Sequence, residues 1–537
     1  MENEKNFFTA LIITVIIIIV YPLLMKQLFP QHFAEQGSSP VQQAQPQQAS
    51  LPTAAVPATM ISNVTPSQQK SYTIENHRYQ LVVNAPGADI QKIELKQLLD
   101  PETKQPTILM DVENKYPGIF ATSDLLSGAE LKDVIVGAEN IQFAYITKDF
   151  EVKKTIALDP ETYSITALIE VQNKQTDSKP LEYALTAATG LKNVSGLESR
   201  FREAVTISQN NKISKKNING IQKAVQLEGE IKLAGFKARY FSIIAAPFVE
   251  CSNANIYRDL NDQAGISTSL SVQIKSLEIL ANTAQNHKFI LYAGPNDFEE
   301  MSRLGLDIQQ VRGSGFFASF SDLLLMLLRY LHVLLKNYGL AVIALSLCIN
   351  LLLYPLTFKS LKSMKEMQSL QPLMEKLRGE YKDNPQKLNK ETMELYKKHK
   401  VNPAGGCLPM VLQMPVFFSL YGVLMRAIEL RGASFLWIKD LAAPDAFYKL
   451  PVALPIVGDA VNLLPLCMAI FTFVQQKLTN PQQANEQQKV MTLMMPVFLG
   501  FIFYKFPSGL VLYFLTNTVF SFVIQTKLSK QFNGQPR

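Results

Sequence analysis

LAVIALSLCINLLLYPLTF, residues 340–358, holds no formal charge, and it lies in a run of 22 uncharged residues between Lys336 and Lys359. A second run of 25 separates Lys400 from Arg426. Each is long enough to cross roughly 30 Å of hydrocarbon as a helix rising about 1.5 Å per residue. The segment between them, Lys359 to Lys400, carries 11 Lys/Arg against 6 Asp/Glu. Short basic loops stay on the cytoplasmic side, so this excess sets an orientation. Within the first run, Ser346, Asn350 and Tyr354 fall at i, i+4 and i+8, one polar stripe on a helix. Gln413 offers an amide in the facing run. Such groups either bond between helices or line a wet pocket.

Working outward, the polar N-terminal half and apolar C-terminal half average to ordinary hydrophobicity, with a modest net charge of +7. The basic residues concentrate in loops beside the apolar runs, a pattern that suits anionic head groups better than nucleic acid. Of four Cys, Cys348, Cys407 and Cys467 lie in or beside apolar runs and Cys251 stands alone, so no disulfide is expected in the polar half. Without a CxxC or Cys/His cluster, a zinc site is not expected, and no cofactor is called for.

Asn6 to Met25 is a further uncharged run of 20 residues flanked by Lys5 and Lys26. It is longer than the apolar core of a signal peptide and lacks a small-x-small site, which predicts an uncleaved anchor. Residues 31–70 hold nine Gln and five Pro with almost no charge, too little apolar surface for a core, and predict a disordered linker. From Ser71 to Ala293 short alternating runs predict strands, including Tyr79–Val83, Ile141–Ile146 and Tyr163–Val171, with turns at Asp159-Pro160-Glu161 and Ala85-Pro86-Gly87. This predicts an all-β sandwich without a convergent acid pair.

In Phe316–Lys336, Asp322, Arg329, His332 and Lys336 share one helical face and the rest is mostly apolar, which fits a helix lying in the membrane interface. After the two central runs, Ala460–Gln476, Val490–Tyr504 and Leu510–Thr526 read as three more spans. With the anchor these make six, and both termini fall in the cytosol. The last span repeats the first stripe with Tyr513, Asn517 and Ser521, Thr516 beside it. Two neutral stripes and Gln413 make a hydrophilic cavity as strong a reading as interhelical bonding. The basic loop reads as two helices broken at Asp383-Asn384-Pro385. Its Met364, Met367, Leu370 and Met374 lie on an adaptable apolar face, directed either to a partner or to the sister helix.

Five motifs carry a resemblance: Tyr354-Pro-Leu-Thr357, Leu370-Gln-Pro372, Val401-Asn-Pro-Ala-Gly-Gly-Cys-Leu-Pro409, Gln413-Met-Pro-Val-Phe417 and Phe506-Pro-Ser-Gly-Leu-Val-Leu-Tyr513. In this order, over about residues 320–528, the chain resembles the YidC/Oxa/Alb family of membrane protein insertases in its Gram-negative form. The resemblance implies a periplasmic β-supersandwich joined to a six-span membrane α-helical bundle with a five-span insertase core. The expected boundaries are an anchor over 1–30, a linker over 31–70, a periplasmic β-domain over 71–315 and an interfacial helix over 316–337. The core follows over 338–528, with a cytoplasmic hairpin over 358–401 and a cytoplasmic tail over 529–537.

The resemblance further implies an insertase and chaperone of the bacterial inner membrane that performs no chemical reaction. A groove open to cytosol and lipid would receive hydrophilic segments of nascent membrane proteins. The expected partners are the Sec translocon with its accessory subunits, membrane lipid, and the ribosome or signal recognition pathway, but no nucleic acid. The family places an arginine four residues before Tyr354-Pro-Leu-Thr357; here that position is Asn350. The expected groove is therefore neutral: Ser346, Asn350, Gln413, Tyr513, Thr516 and Asn517, with Met364, Met367, Leu370 and Met374 receiving substrate on the hairpin. A small-solute transporter or channel is the alternative, and a scaffold with a partner-binding β-domain a third reading. Against the transporter stand the lack of an inverted repeat and of intramembrane ionisable groups.

Overall fold

The computed structural model describes residues 70–533, apart from 102, 113–115, 123, 192–200, 259–267, 313–315, 383, 400, 402–407, 455–457 and 480–485. The expected anchor, nearly all of the linker, the centre of the Val401–Pro409 motif and the last residues of the tail lie outside the described residues.

Alternating apolar residues produce the β-domain. Its main sheet has nine antiparallel strands in the order Ile213–Asn217, Glu203–Ser208, Ile231–Lys237, Phe241–Pro247, Ala284–Pro295, Ser164–Asn173, Phe150–Leu158, Asn140–Ile146 and Glu130–Val136. A four-stranded sheet (Ala184–Thr189, Ser269–Ile274, Cys251–Tyr257, Val225–Glu228) packs on the strands Ile231–Lys237 and Phe241–Pro247. A second four-stranded sheet runs as a meander from Ser71–Glu75 through Tyr79–Asn84 and Asp89–Leu99 to Pro106–Asp111. It is tied to the main sheet by Tyr79 Oη donating to Ala293 O at 2.6 Å and by the edge-on rings of Tyr72 and Phe143. The expected strands are all present, and Asp159 accepts from the amides of Glu161 and Thr162 at the predicted turn.

One inward position of this sandwich is not apolar. Along Phe150–Leu158 the buried row reads Val152, Lys154, Ile156, Leu158. Lys154 is fully buried, and its ammonium donates to Gly87 O at 3.0 Å and to Phe120 O. Asp89, also buried, accepts from Gly118 N at 2.6 Å and Gln91 Nε2 at 2.5 Å. Burial lowers the Lys154 ammonium to about 7 against the pull of Asp89, and burial pushes the Asp89 carboxyl up.

The helices, in chain order, are α1 (Phe298–Ser302), α2 (Phe316–Leu335), α3 (Tyr338–Ser369), α4 (Gln371–Glu380), α5 (Pro385–Lys398), α6 (Leu408–Arg426), α7 (Leu463–Thr479), α8 (Glu486–Phe503) and α9 (Ser508–Asn533). α3 and α9 are long and apolar enough to cross a membrane, and α7 and α8 contain shorter apolar stretches. α9 packs against α7 and α3, while α2 packs on α3 and α6. Pro355, Pro415 and Pro496 lie inside α3, α6 and α8.

Several boundaries differ from the sequence reading. α3 continues through Lys359 to Ser369, so the first hairpin arm starts as an extension of this apolar helix. The expected first helix of the basic loop, carrying Met364 to Met374, breaks at Leu370, and Pro372 falls in the first turn of α4, where its missing N–H leaves no helical bond unmade. Asn384 then caps α5 by accepting from Lys387 N at 3.1 Å. α7 begins at Leu463 rather than Ala460, since Gly458–Val461 pairs with Tyr448–Leu454 as a hairpin. A distant carboxylate caps α7: Asp445 Oδ2 accepts from Leu463 N at 2.7 Å and Leu464 N at 3.1 Å.

On α2, Asp322 pairs with Arg312 at 2.7 Å, and Arg329 bonds Asp297 and Glu429, the latter through Nε at 2.7 Å. His332 stacks on Tyr338 with ring centroids 3.7 Å apart. The polar face is therefore turned into protein contacts, while Leu323, Met326, Tyr330, Val333 and Leu334 remain exposed. Two arginines join the β-domain to the helical part. Arg239 donates to Met425 O at 2.5 Å and Ala442 O at 3.1 Å. Arg431 donates to Asp100 at 3.1 Å and Thr107 at 3.3 Å.

Candidate functional site

α3, α6 and α9 pack together, and from Tyr338 to Phe358, Leu408 to Met425 and Ser508 to Thr526 they contain no formal charge. Polar chemistry between them rests on amides and hydroxyls. Gln413 Nε2 on α6 donates to Tyr513 Oη on α9 at 2.9 Å, a bond between residues 100 apart in sequence. Tyr513 is buried and Gln413 half-buried.

The remaining stripe residues satisfy themselves locally. Asn350 Nδ2 donates to Ser346 O at 2.8 Å and approaches Ser346 Oγ at 3.4 Å, one turn back on α3. Ser346 is fully buried and Asn350 half-buried. Thr516 Oγ1 donates to Leu512 O at 2.8 Å within α9. Asn517 is half-buried, and its side chain makes no hydrogen bond among the described residues. Of the six expected groove residues, Gln413 and Tyr513 are brought into direct contact across helices. Ser346 and Asn350 meet along one helix, and no hydrogen bond joins that pair to Gln413 or Tyr513 among the described residues.

Next to the Gln413–Tyr513 bond the character changes. Phe417 lies one turn from Gln413, towards the α6 end that Arg239 grips, with its ring 5.4 Å from Phe514. Phe503 lies 4.8 Å from Phe514 and 5.2 Å from Phe506, and Tyr421 is 6.1 Å from Phe506. These tilted rings pack on one another between α6, α8 and α9. On their own helices Gln413, Thr516 and Asn517 lie on the hairpin side of the phenylalanines of this aromatic plug, and Tyr513 is level with it, its ring 5.3 Å from Phe514. Sequence reading missed this plug: its members come from α6, α8, α9 and the turn between the last two, and phenylalanines in an apolar run give no sign of converging. It also missed Ser419, fully buried on α6, whose carbonyl accepts from Ser321 Oγ at 3.0 Å.

On the hairpin, Met364 and Met367 lie on the last turns of α3, Leu370 at the break and Met374 on α4. Leu370 is buried and the three methionines are half-buried. α4 packs on α5.

Residues 330–535 match the family described as 60Kd inner membrane protein, and residues 71–327 match the family described as YidC periplasmic domain. A relative from Pelobacter propionicus, named membrane protein insertase YidC, is 30% identical over 557 residues, covering 99% of this chain and all of its own. The chain belongs to the YidC family of membrane protein insertases. Its function is membrane protein insertion rather than chemical catalysis, and the family is one of inner-membrane proteins. Among solved structures, an active YidC insertase with its first transmembrane domain resolved is 17% identical, with a TM-score of 0.36, covering 85% of this chain and 94% of its own. A galactose mutarotase-like protein from Lactobacillus casei covers 42% of this chain and all of its own at 10% identity and a TM-score of 0.27.

Proposed function

We propose that this YidC insertase works through a neutral groove on the hairpin side of the aromatic plug, formed by Ser346, Asn350, Gln413, Tyr513, Thr516 and Asn517. The observation that carries this reading is the Gln413–Tyr513 bond, an interhelical polar contact in a bundle segment without formal charge. Amides and hydroxyls hydrate readily, so water there shortens the hydrocarbon path that a hydrophilic substrate segment must cross. The substrate's apolar helix then leaves along α6 and α8, and its burial in lipid supplies the driving force. Exposed Met414, Phe418, Leu493, Val497 and Phe501 on these helices support that exit.

Substrate first meets the hairpin at Met364, Met367, Leu370 and Met374, where the flexible thioethers of the three methionines accommodate varied apolar helices. In this reading the chain has six spans, its β-domain in the periplasm and its termini in the cytosol, with α2 lying at the periplasmic membrane surface. It works alone or with the Sec translocon and its accessory subunits, and receives chains from the ribosome or signal recognition pathway. The test is complementation of depleted cells with Asn350→Leu and Gln413→Leu at normal expression. Protease accessibility of short-loop membrane proteins is the readout. Their translocated segments are expected to stay protected in the variants. Full accessibility of every substrate in both variants would remove the groove from the mechanism.

A further inference from the structure

A cavity of about 550 Å³ lies where α2, the end of α6 and the base of the β-domain meet. Its charged lining is segregated. Asp322 is taken by Arg312, and Asp297 and Glu429 converge on Arg329. That leaves Lys237 and Arg426 on the lining without a carboxylate partner among the described residues. Lys237 ends the strand Ile231–Lys237, is nearly fully buried, and donates to Val311 O at 3.0 Å and Arg312 O at 3.5 Å. Two carbonyls leave part of its donor capacity unused and supply no counter-charge. Arg426 is the exposed last residue of α6. Leu325 and Phe418 add an apolar margin, and Phe418 is itself exposed on the bundle surface.

We propose that this cavity binds a phosphate-bearing anion between Lys237 and Arg426, supplied either by an anionic phospholipid head group or by inorganic phosphate. The lipid source rests on the placement of α2 at the membrane surface; the cavity's affinity for an anion does not. A head group seated there would lay its first acyl carbons over Leu325 and Phe418. The electrostatics point the same way. Burial, then the like charges of Lys215 and Arg426, lower the Lys237 ammonium to about 7, with Glu203 opposing. An anion in the cavity relieves that repulsion and keeps the ammonium charged.

The test uses the full chain purified in a neutral detergent. Short-chain phosphatidylglycerol, short-chain phosphatidylcholine and inorganic phosphate are titrated separately, with bound ligand counted by native mass spectrometry. Saturable one-to-one binding of phosphatidylglycerol, undisplaced by phosphate, identifies the lipid head group. Displacement by phosphate identifies the free ion. Either is expected to weaken about fivefold or more in Arg426→Gln and Lys237→Gln, in line with roughly 1 kcal/mol per basic residue at a membrane surface. Arg426 is exposed, so its variant keeps the test decisive even where Lys237→Gln does not fold. Equal binding of phosphatidylcholine, no saturable binding, or affinity unchanged in Arg426→Gln would overturn the proposal.

Discussion

In the β-domain a lysine ammonium sits in the inward row of a sheet, held by two carbonyls near a buried carboxylate. In the helical bundle the comparable interior positions hold an amide and a phenol. Both regions bury polar groups, but under different constraints. The inward face of the sandwich is dry, so Lys154 and Asp89 are hydrogen-bonded once and left in place. Such a network rigidifies when complete and is costly when any member is removed. The bundle has exposed apolar faces and neutral polar groups, most of them bonded to their own helix. Those bonds can be exchanged for water or a substrate backbone at small cost. Buried charge fixes the architecture of the β-domain, and neutral hydrogen bonding joins helices in the bundle.

The comparison breaks most readily at Lys154. Lys154→Met leaves Asp89 buried without its cation, and the expected loss is about 3 kcal/mol or more of β-domain stability, read by denaturant unfolding of the full chain. A wild-type midpoint would overturn the rigid half of the contrast. Its pH dependence has a definite sign. The folded-state value of Lys154 is about 7 against an ordinary 10.5, so between those values the unfolded chain holds the extra proton. Stability therefore rises with pH across that window, by up to about 1.4 kcal/mol per unit for one proton. Lys154→Met should flatten the slope, leaving the contribution of Lys237, which is displaced in the same direction.

A smaller effect is expected at the joint between the two regions. Arg239→Ala removes two charge-assisted bonds to Met425 O and Ala442 O, for a loss of about 2 kcal/mol. Faster hydrogen exchange at the end of α6 and around Ala442, with the sandwich core unchanged, is the readout. Exchange that is unaltered there means that the two regions are held by other contacts. Within the bundle, Tyr513→Phe deletes the hydroxyl that Gln413 bonds, and about 1 kcal/mol should be lost. Insertion should fall more than that small change in stability explains. The smallest effect is Asn384→Ala, which removes the α5 cap at a cost of about 0.5 kcal/mol and frays one hairpin arm. Helicity lost well beyond α5 would show that the arms are not independent of the bundle.

Much of this arrangement is legible in the chain, for physical reasons. Strand alternation marks the sandwich because one face of each strand is dry, and Tyr79–Asn84 and Ser164–Asn173 follow that pattern closely. Gln413 and Tyr513 stand out because an amide and a phenol in an uncharged run need partners. Local spacing cannot say which partner each finds: Asn350 turns to Ser346 and Thr516 to Leu512. Lys154 is hidden in an alternating strand, where a lysine ordinarily faces water. Arg239 and Arg431 are illegible for another reason, since their partners lie 186 to 331 residues away. Pro372 was present in the Leu370-Gln-Pro372 motif and could have signalled the break at Leu370, but the apolar periodicity continues past it.

The continuity of α3 has a mechanical consequence. Its 32 residues form a rod about 48 Å long, and Pro355 removes one backbone bond along it. The arm beyond Pro355, as far as Ser369, is about 21 Å. A tilt of about 10° at that weakened point would swing the tip by about 4 Å, roughly two-thirds of the rise of one helical turn. A chain pulling on the hairpin thereby acts with leverage on the same helix that carries Ser346 and Asn350.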